Sequence, residues 1–193
     1  MSLSAITKNT PKRTLFGAGT IHKGLIYNAE TSSWNFEETL VGATNGGSKL
    51  TITPELYKIP YDDASVNVKG LTKKVGETAQ LEINFAELTN TLIKSAVIGA
   101  DGTSEDEKFD AIVSKESIVE GDYWDNIAFV GETADGENII VILENALCTS
   151  GFGTDAKAKT EGVATLTFEC YADINALNHK TLPYRIYLPK ETE

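Results

Sequence analysis

The 193 residues, 41% hydrophobic and 23% charged, are enough for one domain with a real core and match the balance of an ordinary globular protein. The net charge of −11, from 28 acidic residues against 17 Lys and Arg, excludes the basic face with which a conventional nucleic-acid binder displaces counterions from phosphate. No apolar run approaches the roughly 20 residues that a membrane-spanning helix requires.

Residues 1–14 are polar and lack periodicity, which predicts a mobile N-terminal arm. The same stretch has no apolar core of a signal peptide, so synthesis in the cytoplasm is expected. After the Gly17/Gly19 turn a strand is expected around Thr20–Asn28, and Trp34 and Phe36 among polar neighbours suit a partly exposed strand over Thr31–Glu38. Gly42-Ala-Thr-Asn-Gly-Gly47 then breaks the chain. From Lys49 to Ile59 the alternation is imperfect, and Pro54 forbids a central ladder position. That segment reads as an edge strand or as part of a projecting hairpin over about 42–63. It leads through the acidic turn Asp62-Asp63 to a short alternating run, Val66–Gly70. Leu56, Tyr57, Ile59 and Tyr61 are large residues in this otherwise polar excursion. In a monomer they would fold back on the core; in an assembly they would be contact residues, since aromatic side chains supply much of interface energy.

Ala79, Leu81, Ile83 and Phe85 face one side and Gln80, Glu82 and Asn84 the other, a half-buried strand. From Ala86 the period changes: Leu88, Leu92, Ile93, Ala96 and Val97 predict a helix over Ala86–Ile98, stopped by Gly99. Residues 101–117 admit two readings, a short helix opened by a Ser104/Glu107 capping box or an extended Phe109–Val113. Tyr123–Gly131 and Asn138–Cys148 bracket Asp135-Gly136, a hairpin signal, and Ile139–Leu143 is apolar on both faces. Gly151-Phe-Gly153 opens no helix, so the 149–162 loop reads as a flexible hairpin tip rather than a phosphate site. Val163–Ala172 alternates, with Ala164, Leu166, Phe168 and Cys170 on one face. The C-terminal segment, about 182–193, holds the short apolar run Leu182–Pro189, which either caps the core or docks on a neighbour. It adds Tyr184, Ile186 and Tyr187 to the contact candidates.

Chemistry-bearing residues are few. His22 and His179 belong to no catalytic motif, and Ser104, Ser114 and Ser150 lack a nucleophile-elbow context. Cys148 and Cys170 form no CxxC pair and have no ligand partner at metal spacing; buried free thiols are expected. The acidic loop Asp101–Glu107 misses the calcium-loop pattern. No catalytic, cofactor-binding or metal-ligating residue stands out, and the chain is not expected to be an enzyme. Lys73-Lys74 and Lys157/Lys159 read as solvated surface charges.

The order of Phe16–Leu25, Val41–Gly47, Tyr57–Asp63, Val68–Gly70, the strand-to-helix passage Leu81–Ile98 and a final strand pair over Asn126–Ile174 resembles the major tail protein, or tail tube protein, of long-tailed bacteriophages and prophages. The patterns predict a mainly β fold, sandwich or barrel-like, with one packed α-helix in a single domain over residues 1–193. The resemblance implies a virion structural protein of the tail that assembles into hexameric rings. Stacked, the rings would form the conduit for DNA ejection, in contact with tape measure and terminator proteins. DNA would pass without specific binding, and an acidic lumen would repel its phosphates. The competing expectation is an acidic β-sandwich binding module for carbohydrate or cell-surface recognition, marked by an exposed row such as Trp34, Tyr123 and Trp124.

Overall fold

A computed structural model describes residues 5–155, 157–177 and 179–190. In chain order the elements are α1 (Thr10–Arg13), β1 (Leu15–His22), β2 (Tyr27–Asn28), β3 (Ser33–Trp34), α2 (Phe36–Thr39), β4 (Thr44–Lys58) and β5 (Thr72–Phe85). There follow α3 (Asn90–Val97), β6 (Gly99–Gly102), β7 (Ala111–Ser114), a 3₁₀ turn (Glu120–Asp122), β8 (Trp124–Thr133), β9 (Asn138–Cys148), β10 (Ala164–Cys170) and β11 (Tyr184–Tyr187). The fold is mainly β, and α3 is the only helix longer than a single turn among the described residues.

The main sheet runs β1-β8-β9-β10-β5-β4, antiparallel throughout, and forks at β9, where β11 pairs alongside β10. Alternation puts Ala79, Leu81, Ile83 and Phe85 of β5 beside Leu166 and Phe168 of β10 in one core. The end strands approach each other. Leu40 bridges His22, and the Val41 N–H donates to the Ile21 carbonyl at 2.9 Å. The sheet therefore curls into a partly closed barrel. Beyond that seam, the outer edges of β1 and β4 have no strand partner among the described residues.

Helix α3 covers the core with Leu92 and Ala96, and its Ser95 Oγ accepts the Trp124 indole N–H at 2.8 Å. It is shorter than the apolar spacing predicts. The N–H groups of Ala86 and Glu87 bond to the Ala43 carbonyl at 3.0 and 3.3 Å, holding the chain beside β4. Thr89, extended, then caps the helix by accepting the Leu92 N–H. At the other end Ile98 itself takes the left-handed conformation, φ 49°, and Gly99 already belongs to β6.

Other expectations are corrected too. The glycine run does not break the chain: from Thr44 it lies inside β4 as an irregular stretch, where the Asn84 side-chain amide donates to the Gly46 and Gly47 carbonyls. β1 starts earlier than expected, and Thr31–Glu38 holds only a two-residue strand followed by the helical turn α2. The expected N-terminal arm contains the helical turn α1, while residues 1–4 lie outside the described residues. In residues 101–117 the extended reading holds for Ala111–Val113, in β7 paired with β6, while Phe109 and Asp110 lie in the loop, and Ser104 closes a local turn by accepting the Asp106 N–H. The short alternating run Val66–Gly70 lies in the turn between β4 and β5.

The Asp135-Gly136 hairpin forms between β8 and β9 as expected, with Gly136 at φ 83°. Asn126 takes φ 49°, and around it and its opposite number Glu144 both strands exchange their faces. Trp124 and Ala146 thus enter the same core as Ile127 and Leu143, while Ala128, Val130, Ile140 and Ile142 form a second cluster outside. Leu25, Trp34 and Phe36 cover that second cluster.

Candidate assembly surface

The pairing of β4 with β5 continues well past the body. Leu50 and Ile52 pack on the core, yet from Thr53 to Lys58 every residue is exposed, and so is Thr72–Val75 opposite. A register shift leaves Val75 as an extra residue: Glu55 faces Gly76, whereas Leu56 faces Lys74 and Tyr57 faces Lys73. Pro54 lies on the edge strand, where its missing N–H costs no ladder bond. The tip closes through the Ile59 N–H on the Leu71 carbonyl, 2.9 Å, around a hollow of about 330 Å³. The projecting arm is thus the outer part of the β4–β5 hairpin, from Thr53 through its turn at 59–71 to Val75, while Leu50 and Ile52 within the predicted 42–63 pack on the core.

Of the contact candidates here, Leu56 (56% exposed), Tyr57 (53%) and Tyr61 (58%) are open to solvent, while Ile59 is half-buried in the tip. Val66, Val68 and Val75 are also exposed on the arm. The first two were hidden in a run that mimics a strand, and only the register reveals the third. Six exposed apolar and aromatic side chains within one hairpin are a concentration of the kind that marks contact surfaces.

The root of the arm is tied to the C-terminal segment by Glu77. Its Oε1 accepts the Leu182 N–H at 2.9 Å, and its Oε2 meets the Lys74 ammonium and the Tyr184 hydroxyl, the latter at 3.4 Å. The side chain is only 5% exposed, though its cover is thin: a strand partner and the 182–184 segment. The Lys74 hydrogen bond, followed by the Leu182 N–H, holds the carboxyl below its ordinary value. No local pattern in the sequence marks this residue.

The other three contact candidates lie on β11, which docks on β9 of its own chain and so takes the core-capping alternative. Tyr184 packs against the core, Tyr187 meets the Trp34 ring edge-on at 5.1 Å, and Ile186 remains half exposed. Arg185 forms an ion pair with Glu144 beside them.

The histidines and cysteines lie apart from the arm. His22 is buried, with Nδ1 3.0 Å from the Thr39 hydroxyl and Nε2 2.9 Å from that of Thr20, and burial lowers its pKa. Because the Thr39 hydroxyl donates to the Asn35 carbonyl, it accepts from His22 Nδ1–H. His179 contacts the Ile174 carbonyl at the surface. The two thiols are free and buried on neighbouring strands, and Phe168, not Cys170, stands opposite Cys148. Among the described residues no group of three His, Cys, Asp or Glu side chains is placed to hold a metal ion, and no helix is long and apolar enough to cross a membrane. Trp34, Tyr123 and Trp124 form no exposed row: Trp124 is core, Trp34 sits among Tyr27, Phe36 and Tyr187, and Tyr123 meets Tyr171. No protein-family model matches the chain, and no curated protein matches its sequence.

Proposed function

We propose that this chain is a virion structural protein that self-assembles into hexameric rings, stacked as the tail tube of a long-tailed phage or prophage and serving as the conduit for DNA ejection. The observation that carries the reading is the β4–β5 arm. It leaves the body with Leu56, Tyr57, Tyr61, Val66, Val68 and Val75 exposed, a set with the composition of an interface rather than of a solvated loop. Two further features support it. Among the described residues the outer edges of β1 and β4 have no strand partner, and joining such edges between subunits removes a liability that isolated sheets must otherwise manage. The net charge of −11 suits a passage along which DNA slides without specific binding. On this reading the tape measure and terminator proteins are its neighbours in the tail.

Negative-stain microscopy across a concentration series, with light scattering for mass, tests the proposal. Six-fold rings or hollow tubes are expected. A variant with Tyr57–Lys73 replaced by Asn-Gly, the short turn that suits the facing pair Leu56 and Lys74 and leaves the Lys74–Glu77 contact in place, should keep its melting temperature and stay monomeric. A wild-type chain that is monomeric at every concentration overturns the reading.

A further inference from the structure

We infer that His22 is an acid-sensitive latch: its protonation releases the strap formed by residues 35–41 from β1 and lifts Phe36 off the second apolar cluster. β1 turns Ile21 into the core and His22 to the opposite face, where the imidazole lies under the strap, 3% exposed, with the Phe36 ring 5.6 Å away. Three bonds tie strap to strand. The Val41 N–H donates to the Ile21 carbonyl at 2.9 Å, the Lys23 N–H to the Thr39 carbonyl at 2.8 Å, and His22 Nδ1–H to the Thr39 hydroxyl at 3.0 Å. Of the three, only the last involves a group that titrates.

The hydrogen bonds around the ring suit its neutral form. With Nδ1 donating, Nε2 accepts from the Thr20 hydroxyl at 2.9 Å. A proton on Nε2 makes it a donor, and the hydroxyl must turn its own hydrogen away. The acceptor that β8 offers, the Val130 carbonyl, is 3.5 Å distant, at the limit of a hydrogen bond. The new charge also meets no counter-ion. The charged side chains on the surrounding elements are Lys23 after β1, Glu37 and Glu38 on α2, Asp125 and Glu132 on β8, and Lys49 on the body part of β4. All four carboxylates are exposed and none pairs with His22, while Lys23 lies over the Trp124 ring at 4.3 Å. Burial therefore lowers the pKa of the ring, outweighing the Phe36 carbonyl, which acts to raise it. Once the strap is released the imidazole regains water and its ordinary value of 6.5. The strap is thus fully held above 6.5, and its hold weakens as pH falls from there toward the lower value of the closed state.

Native-state hydrogen exchange at the Val41 and Lys23 N–H groups, corrected for the intrinsic pH dependence of exchange, reads the opening of the strap. Their opening equilibrium should rise about tenfold between pH 7.5 and pH 5, a range above the ordinary carboxylate values. It should also exceed that of the Ile83 N–H in the core strand β5, which marks global unfolding. His22→Gln, neutral throughout, should abolish the rise, whereas His179→Gln at the surface should leave it intact. Nitrogen-15 signals of the wild-type ring should place the proton on Nδ1 at pH 7.5 and titrate together with the opening, a readout that stands even if His22→Gln misfolds. Opening that ignores pH over this range, a rise that survives His22→Gln, strap amides that open only with Ile83, or a ring protonated on Nε2 at pH 7.5 overturns the latch. None of these results bears on whether the chain assembles.

Discussion

Glu77 and Leu182 stand 105 positions apart in sequence, yet the Leu182 backbone N–H donates to Glu77 Oε1 at 2.9 Å. With Tyr184 and Lys74 on the other oxygen, one carboxylate fixes both where the arm leaves the sheet and where the C-terminal segment returns to it. A mostly covered group with several partners is costly to disturb because each donor it abandons loses its acceptor.

Glu77→Gln should therefore destabilise the chain by about 1–3 kcal/mol, read from urea unfolding. The sign of the pH dependence follows from the lowered pKa. The contribution is complete above the ordinary value of 4.5 and is lost as pH falls through the lower folded value. The wild-type advantage over Glu77→Gln should shrink as pH drops below 4.5, the ordinary value. An advantage that stays constant or grows would mean that the charge is not what stabilises the contact.

Gly19→Ala should cost about 2 kcal/mol or more. Gly19 has φ +71°, and an added Cβ would lie 2.5 Å from Phe129 Cε2 and 2.8 Å from the Val130 carbonyl. Gly17, at φ +95° with open space around it, is the control: Gly17→Ala should show backbone strain alone, about 1 kcal/mol. Equal losses in thermal melts would contradict the close approach.

Ser95→Ala should cost about 1–3 kcal/mol by leaving the Trp124 N–H, on a ring only 1% exposed, without its acceptor. In a Trp124→Phe background the same change should cost clearly less, since the donor is gone. Strict additivity in the double-mutant cycle would show that the 2.8 Å bond contributes nothing.

Thiol labelling offers a check on the core. Burial raises the pKa of Cys148, and that of Cys170 to about 11, so little thiolate is present near neutrality. Ellman's reagent should leave the native chain largely unlabelled at pH 8 and titrate two thiols in denaturant. Fast native labelling would indicate that β9 and β10 open readily.

What the residues reveal on their own tracks how local the cause is. The alternation from Ala79 to Phe85 names the buried face of β5 because period two depends on one strand alone. The Asp135-Gly136 turn is equally local. The glycine run misleads because Asn84, almost forty positions away, supplies bonds that keep it in the ladder. The helix starts late because Ala43 takes the N–H groups of Ala86 and Glu87. Trp124 looks like a surface aromatic in a polar context until Asn126 reverses the face of β8. On the arm, Leu56, Tyr57 and Tyr61 were visible as misplaced apolar residues; Glu77 was not, since nothing nearby in sequence points to residue 182.

The two open edges differ from each other. β1 is distorted between Phe16 and Thr20, with Gly17 and Gly19 at positive φ, whereas β4 carries Pro54 and an irregular stretch between Thr44 and Ser48. β4 is regular over Ser48–Glu55, whereas β1 is regular only over Thr20–His22 beyond its distortion. A contact that joins one kind of edge to the other has a direction, and repetition of it either returns to its starting point or continues without limit. Two edges this different in length and regularity cannot take each other's place in such a contact.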